Sequence, residues 1–364
     1  MNITGLIDEA VNSISKLDGS RRSFVNSISQ TIKKPVDVDG KTILEKALVF
    51  PVEAAKLGQK IAGVDSGFVG KDLLALDLVL IRCVGVVFSY DQGKLGSAQY
   101  FPSFYSFPQP SLTNRALEVD EFQMSKSLQR LLQEVGMARK MIEENSLDYC
   151  FIDGSIVPQY ADKPRSDSNI LDFYQKLIDE FQLLYKTAEE KGCEIVACVE
   201  DSRGSRFRTI LQERVLGNNF NSSVLDNCYD TILLDYLLAK GERSMAFSYS
   251  GEDAKKPHPI LSDFDESWSK SIHAFYLRPC EFDRPLRVEF LHKEGNISEH
   301  VNRIAGITYA LSCLHREYAY PSVLIEADLH ARLKPDEISM VYEKIMDKLG
   351  KNIRIKMRRD YRPF

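Results

Sequence analysis

Residues 60–70 read KIAGVDSGFVG, and residues 147–157 read LDYCFIDGSIV. In each stretch a short apolar run ends at an aspartate, Asp65 or Asp153, and small residues follow. Such runs are typical of buried strands, and the small residues allow a backbone or a ligand to come close. Burying an unpaired carboxylate costs several kcal/mol. Each aspartate therefore needs a partner, such as a metal ion, a hydrogen-bond network or a bound phosphate.

The two aspartates are expected to face one another. Adjacent strand ends of a parallel or mixed sheet form the crevice in which ligands bind. Two like charges placed there need a cation, and Mg²⁺ or Mn²⁺ accepts oxygen ligands. A pair of such ions about 3.5–4 Å apart is the usual arrangement for in-line attack on phosphodiesters. The alternative is that each aspartate only caps the turn after its own strand.

A third acid is expected from the segment 120–145, which is predicted to be a long helix because its apolar residues recur with a period of 3.6. Glu134 lies beside Leu131 on the apolar ridge of this helix, so its carboxylate is expected to point toward the sheet. Glu118 and Glu121 are alternatives near the helix start, where acids usually favour the helix dipole.

Residues 322–333, SVLIEADLHARL, permit two interpretations. Strict alternation of apolar and polar residues favours a strand, which would present Asp328 and His330 on one face. A helix begun at Pro321 would place these two side chains about 200° apart, so that only one of them could reach a site.

Two arginines follow another predicted strand. The stretch VEDSRGSRF, residues 199–207, carries Arg203 and Arg206 next to acids. Arginines at a strand end can hold a phosphate through paired hydrogen bonds. A loop in which these charges pair with one another is the alternative.

The order of the predicted elements indicates an α/β fold. Strands at about 60–65, 74–90 and 97–101 are predicted to form successive hairpins, and strands and helices alternate after them. This order is typical of a mixed β-sheet flanked by helices. Residues 1–58 are predicted to form an N-terminal helical arm, made of two amphipathic pieces with a polar break at SRRS, and residues 59–364 a single domain.

Composition limits the environment and the partners. The net charge of −5 gives no overall attraction to nucleic acid, so binding to DNA needs local basic patches or cations. The basic tail 351–364 is either such a patch or a solvated last strand. Seven cysteines without a CxxC pair indicate a reducing compartment. The longest apolar stretch is too short and too charged to span a membrane, and no signal peptide is recognised, so a cytoplasmic protein is expected.

Four motifs taken together resemble the NurA nuclease family. They are GVDSG around Asp65, an LLQE helix followed by DYCFIDGSI, DSRG around Arg203, and YPSVLIEADLHARL near the C-terminus. Each motif alone is common, but their order and spacing over residues 60–333 are fairly specific. The resemblance implies an RNase H-like fold for the domain 59–364.

The resemblance also implies a set of site residues. Asp65, Glu134 and Asp153 match the acidic metal ligands of the family, and Tyr320 matches an active-site tyrosine. The family pattern has a histidine followed two residues later by an acid, whereas this chain has Asp328 followed by His330. Either Asp328 replaces the histidine as a ligand, or His330 reaches the metal from its neighbouring position.

The implied activity is metal-dependent hydrolysis of DNA. Two Mn²⁺ or Mg²⁺ ions are expected from the paired acids, and the resemblance implies 5′ to 3′ exonuclease action and endonuclease action on single strands. It also implies a homodimer that works with a HerA-type hexameric ATPase in DNA end resection during double-strand break repair. The rival interpretations are an actin-like or kinase-like Mg-ATP phosphotransferase, and a non-catalytic scaffold whose acids are only turn caps.

Overall fold

A computed structural model describes residues 3–72, 77–113, 117–217, 220–249 and 258–350 of the chain. Its strands are β1 Val49–Pro51, β2 Lys60–Asp72, β3 Asp77–Asp91, β4 Lys94–Phe101, β5 Gln109–Thr113, β6 Tyr149–Asp153, β7 Glu194–Val199, β8 Glu242–Ser244, β9 Phe247–Ser248, β10 Ile272–Arg278 and β11 Leu286–Leu291. Its α-helices are α1 Ile3–Ile32, α2 Val119–Glu144, α3 Leu171–Lys191, α4 Arg206–Ile210, α5 Asp230–Leu237, α6 Glu266–Ser271, α7 Ile297–Ser312, α8 Ser322–Ala331 and α9 Pro335–Leu349. The predicted basic tail, 351–364, lies outside the described residues.

The chain divides into two compact units. Unit 1 consists of Met1–Lys56, Cys198–Pro257 and Lys270–Pro321. Unit 2 consists of Leu57–Ala197, His258–Ser269 and Ser322–Phe364. Across the described ranges, no helix combines the length and the apolar character needed to cross a membrane.

Unit 2 contains a mixed sheet. Its strands lie in the order β7, β6, β2, β3, β4, and β5 pairs with β3. β2 is parallel to β6 and antiparallel to β3, and β3 is antiparallel to β4. Helices α2 and α8 both pack against β2 and β3. The predicted fold class, a mixed sheet flanked by helices, is confirmed.

The hairpin between β3 and β4 is set by its turn. Gln92 and Gly93 both have a positive φ, 48° and 86°. Two consecutive residues of this kind form the turn that matches the twist of paired strands, and glycine adopts it without strain. The turn predicted at Asp91-Gln92-Gly93 is therefore confirmed.

The prediction that the first strand ends at Asp65 is wrong. β2 continues to Asp72, because its antiparallel pairing with β3 extends over its whole length. Its parallel pairing with β6 is shorter and ends at Val64, opposite Ile152. Asp65 thus lies inside a strand, at the point where one of its two neighbours stops.

The segment SVLIEADLHARL is a helix, so the strand interpretation is wrong. The helix fits against the neighbouring strand because Gly63 and Gly67, on either side of Asp65, carry no side chain toward α8. A Cβ at Gly63 would lie 2.7 Å from the Val323 carbonyl oxygen, and a Cβ at Gly67 would lie 2.4 Å from that of Ala331. The backbone of α8 therefore lies directly on β2, at a distance that only glycine permits.

The strands of unit 1 lie in the order β1, β8, β10, β11, and β9 pairs with β10. Helix α1 is continuous through Ser20–Ser23, so the predicted break is wrong. Ser20, Arg22 and Ser23 are exposed, Arg21 is half-buried and donates to the Asn227 carbonyl oxygen, and Ser20 donates its hydroxyl to the Lys16 carbonyl within the helix. Val25, Ile28 and Ile32 from the second half of α1 are buried in the core of this unit.

Candidate active site

Asp65 on β2 and Asp153 on β6 occupy matching positions on neighbouring strands. Val64 pairs with Ile152, so the next residue on each strand is one of the two aspartates. Adjacent strands lie about 4.8 Å apart, and residues at matching positions point to the same face of the sheet. Asp65 is 5% exposed and Asp153 is half-buried. The expected meeting of the two carboxylates is therefore what the sheet register provides.

The third expected acid, Glu134, is supplied by helix α2. It is fully buried, and its Oε2 accepts a hydrogen bond of 2.5 Å from the hydroxyl of Ser66. Ser66 also donates its backbone N–H to Asp65 Oδ1 at 2.6 Å. Because successive strand residues point to opposite faces, Ser66 faces α2 while Asp65 faces α8. Ser66 thus links two of the acids.

A positively charged side chain contacts Glu134. Arg130 precedes Glu134 by one helical turn and donates from Nη1 to its Oε2 at 2.7 Å. The remaining oxygen, Glu134 Oε1, is buried and accepts no hydrogen bond from any described residue. A buried carboxylate oxygen of this kind is costly unless a further positive group completes it.

Burial and mutual repulsion change the protonation of the acids. Burial raises the pKa of Asp65 to about 8, and the charges of Asp153, Glu134 and Asp328 act in the same direction. Burial also raises the pKa of Glu134 to about 7, with Asp153 adding to the effect, while Arg130 and Ser66 oppose it. Asp65 is therefore close enough to the other three carboxylates for their charges to act on it. We call Asp65, Glu134, Asp153 and Asp328 the acidic cluster.

The helical interpretation of α8 places Asp328 and His330 in different surroundings. Asp328 acts on Asp65 through its charge and accepts a hydrogen bond of 3.1 Å from Arg332. The His330 ring lies instead against the rings of Tyr100 and Phe104, with centroid distances of 4.8 Å and 4.7 Å. Whether either residue binds a metal stays a prediction.

The other helical candidates have partners elsewhere. Glu121 accepts hydrogen bonds from the Ser168 hydroxyl at 2.7 Å and from the Asn169 N–H at 3.2 Å. Glu118 is the residue that precedes α2. Of the three glutamates considered, Glu134 is the one whose burial and contacts match the expected orientation toward the sheet.

Three further predicted residues belong to unit 1. Arg203 is exposed on the loop between β7 and α4, and Arg206 is the first residue of α4. Tyr320 is 6% exposed and donates its hydroxyl to the Cys198 carbonyl oxygen at 3.0 Å. Their roles with DNA stay predictions.

Sequence reasoning did not assign roles to Ser66 and Arg130. A signal for Arg130 was present, because an arginine four residues before a glutamate on a helix forms an ion pair. Ser66 gave no comparable signal, since its contact with Glu134 joins positions 68 residues apart. In the conformation of the described residues, no three His, Cys, Asp or Glu side chains are arranged to hold a metal ion.

Comparison with known proteins identifies relatives of this chain. The family model of the NurA domain matches residues 59–333. The fold is similar to that of the NurA nuclease from Sulfolobus solfataricus, with a TM-score of 0.63 at 16% identity over 96% of this chain and 98% of that chain. A structure of NurA bound to dAMP and manganese gives a TM-score of 0.51 at 10% identity over 96% and 98%. At such identities the likeness of structures shows the fold alone. A search of curated protein sequences gives no match.

Proposed function

Because the chain belongs to the NurA family of nucleases, we propose that it hydrolyses DNA phosphodiesters in a metal-dependent reaction at the acidic cluster. The observation that carries this proposal is the burial of Asp65 beside Glu134, Asp153 and Asp328. Buried like charges are costly in a merely structural role. They are the usual feature of a site that binds a cation.

By its chemistry the donor set suits a hard divalent ion, although in the conformation of the described residues no three of its side chains are arranged to hold one. Carboxylate oxygens are the ligands that Mn²⁺ and Mg²⁺ prefer, and the unsatisfied Glu134 Oε1 supplies a buried acceptor among them. The structure of NurA bound to dAMP and manganese supports the choice of metal. When bound, such ions provide an acidified water and stabilise charge on the phosphate. We propose two ions, held by Asp65, Glu134, Asp153 and either Asp328 or His330.

The chain's own side chains would prepare this site. Ser66 and Arg130 both donate to Oε2 of Glu134 and so hold this side chain, while its Oε1 accepts no hydrogen bond from any described residue. Because the paired carboxylates are held by the register of β2 and β6, their separation is set by the sheet rather than by flexible loops. Arg203 and Arg206 would hold DNA phosphates, and Tyr320 would position the strand.

The finer parts of the activity come from the family resemblance alone. We propose 5′ to 3′ exonuclease action, endonuclease action on single strands, and a place in double-strand break repair. The partners proposed are a HerA-type hexameric ATPase and a second copy of the chain. A cytoplasmic location and an arm formed by residues 1–58 are proposed from composition and sequence pattern, and a nuclease domain formed by residues 59–364 from that pattern together with the resemblance.

Cleavage assays test the proposal. Single-stranded and blunt duplex DNA, labelled at the 5′ or the 3′ end, would be incubated with the protein and Mn²⁺, Mg²⁺ or EDTA. Cleavage is expected with either ion and is expected to stop with EDTA. If the 5′-labelled strand releases labelled mononucleotide first, the proposed polarity is supported.

Matched variants locate the activity. Asp65→Asn and Asp153→Asn keep the side-chain shape and remove the charge, and each is expected to lower cleavage at least about 100-fold. Asp172→Asn, on the exposed side of α3, is the control and is expected to retain cleavage. Full cleavage by both cluster variants, or ATP turnover without DNA cleavage, would contradict the proposal.

A further inference from the structure

A pocket of about 280 Å³ lies between the β4–β5 connection and the C-terminal end of α8, within unit 2. Its lining includes Phe104, Tyr105, Leu329, His330, Arg332 and Lys334. It combines aromatic rings with cations and differs in character from the acidic cluster. None of these residues except His330 had a predicted role.

The aromatic side of the pocket is exposed to solvent. Phe104 is 60% exposed, Tyr105 is 77% exposed and Leu329 is 60% exposed. Leaving large apolar side chains in water is unfavourable, and several of them around one pocket are a mark of a binding site.

The aromatic rings are held in place before any ligand binds. The Phe104 and His330 centroids lie 4.7 Å apart, and Tyr100 lies 4.8 Å from each of them. Glu326 anchors this group, because its Oε1 accepts the Tyr100 hydroxyl at 2.7 Å and lies 3.3 Å from His330 Nε2. A face ordered in this way binds a planar ring with a smaller entropy cost.

The pocket wall is positively charged. Arg82 is 7% exposed, donates to the Arg332 carbonyl oxygen at 3.0 Å and pairs with Glu337, so it braces the end of α8 against the start of α9. The positive charge of Arg82 is therefore already paired with the carboxylate of Glu337. The side chain of Arg332 is 69% exposed and Lys334 is exposed, and both can meet an anionic ligand.

The pocket adjoins the acidic cluster through α8. Arg332 lines the pocket and donates to Asp328, the member of the cluster that lies one helical turn earlier. One turn of helix advances about 5.4 Å. A ligand in the pocket would therefore be close to DNA held at the cluster.

We propose that this pocket binds an unpaired nucleotide of the DNA substrate. Its base would stack on Phe104 and Tyr105, and its phosphate would contact Arg332 and Lys334. A base in a duplex has both faces covered by its neighbours, whereas an unpaired base offers a free face to an aromatic ring. The inference rests on the proposed function, since it assigns a subsite to that same reaction.

Charge favours nucleic acid over a protein as the occupant. The exposed cations Arg332 and Lys334 line the same pocket as the aromatic rings, and a single strand offers bases to the rings and phosphates to the cations. Association with a second copy or another protein through the same face is an outcome that the test below distinguishes.

Binding assays in EDTA separate this inference from cleavage. Fluorescence anisotropy would measure the affinity of the full chain for labelled oligothymidine, for an abasic strand of equal length and for a duplex. The double variant Phe104→Ala/Tyr105→Ala is expected to bind oligothymidine about 10- to 100-fold more weakly. Its affinity for the abasic strand and for the duplex is expected to change less than about threefold.

Two more variants complete the test. Tyr160→Ala removes an aromatic that is 73% exposed but does not line the pocket, and it is expected to bind oligothymidine as the wild type does. Lys334→Gln is expected to lower the slope of log affinity against log salt by about 0.7 for the single strand. Thermal unfolding checks that each variant is folded.

The outcomes are distinct. Unchanged oligothymidine affinity in a folded Phe104→Ala/Tyr105→Ala variant overturns the inference, as does an equal loss for duplex and single strand. Unchanged DNA affinity with an altered oligomeric mass in light scattering assigns the face to a protein and also overturns it. If the wild type binds oligothymidine through these rings but cleaves no DNA, the subsite stands and the proposed function fails.

Discussion

At the scale of single residues, the central feature is a buried carboxylate that the fold itself does not neutralise. Asp65 receives one backbone hydrogen bond, and the charges of three other acids act on it. Arg130 and Arg332 donate to Glu134 and Asp328, and not to Asp65. The energetic cost of this arrangement gives it a measurable signature in stability.

Without divalent ions, stability should fall as the pH rises. The folded-state pKa of Asp65 is raised to about 8 from an ordinary 3.8, and that of Glu134 to about 7 from 4.5. A raised carboxyl pKa means that the folded state holds the proton more tightly. Its stabilising contribution is full below the ordinary value and is lost as the pH rises through the folded-state value. Thermal unfolding in EDTA is expected to show a falling midpoint between about pH 5 and pH 8.

Asp65→Asn should remove much of this pH dependence. The amide cannot ionise, so at pH 8 the metal-free variant is expected to unfold a few °C above the wild type although it no longer cleaves DNA. Asp172→Asn should keep the wild-type slope. An unchanged slope in Asp65→Asn would mean that the burial of this carboxylate has no energetic cost.

The hydrogen bond of Ser66 to Glu134 gives a further prediction. Ser66→Ala removes the hydroxyl that donates to Glu134, and residues in this position usually affect metal affinity 10- to 100-fold. We expect about a 10-fold weaker Mn²⁺ affinity by calorimetry and lower cleavage at limiting Mn²⁺. Ser66→Thr keeps the hydroxyl and should recover much of the affinity. Equal affinities in the wild type and Ser66→Ala would refute the positioning role.

The sequence predicted these residues unevenly. Asp65 and Asp153 were identifiable because an acid after an apolar run is conspicuous, and Glu134 because it lies beside an apolar ridge. The partners Ser66 and Arg130 were not assigned, since their contacts depend on how α2 crosses β2. Local patterns thus reveal costly groups more readily than the groups that compensate them.

At the scale of elements, the position of α8 depends on two glycines. Gly63 and Gly67 flank Asp65 on the same face of β2, and α8 lies against both. This contact brings Asp328 close enough to Asp65 for its charge to act on that carboxylate. The sequence of α8 alternates like a strand, so its helical state could not be decided locally; the close approach to β2 is a tertiary effect.

Gly67→Ala should therefore disturb α8. Its Cβ would lie 2.4 Å from the Ala331 carbonyl oxygen, and relieving such overlap costs about 1–3 kcal/mol. We expect a lower unfolding midpoint and lower cleavage. Gly58→Ala is the control, because a Cβ there meets nothing within 4 Å. Wild-type stability in Gly67→Ala would show that α8 does not depend on this contact.

At the scale of the whole molecule, the N-terminal helix has two different halves. The described residues before Asp18 are exposed, whereas Val25, Ile28 and Ile32 are buried in the core of unit 1. The sequence pattern identified an amphipathic arm but could not show where burial begins, because both halves carry apolar residues at helical spacing.

Two truncations test this division. Deletion of residues 2–16 is expected to leave the unfolding midpoint within a few °C of the wild type, since no buried side chain is lost. Deletion of residues 2–33 removes three buried apolar residues and should unfold unit 1. Circular dichroism and limited proteolysis would report this. A second truncation as stable as the first would show that the whole of α1 is dispensable.

The most direct test of the account is calorimetric titration of Mn²⁺ into the metal-free protein at pH 8. Saturable Mn²⁺ binding is expected in the wild type and in Asp172→Asn. The Mn²⁺ affinity is expected to be at least about 10-fold weaker in both Asp65→Asn and Asp153→Asn. Wild-type Mn²⁺ binding in both cluster variants would contradict the claim that these strands hold the catalytic metal.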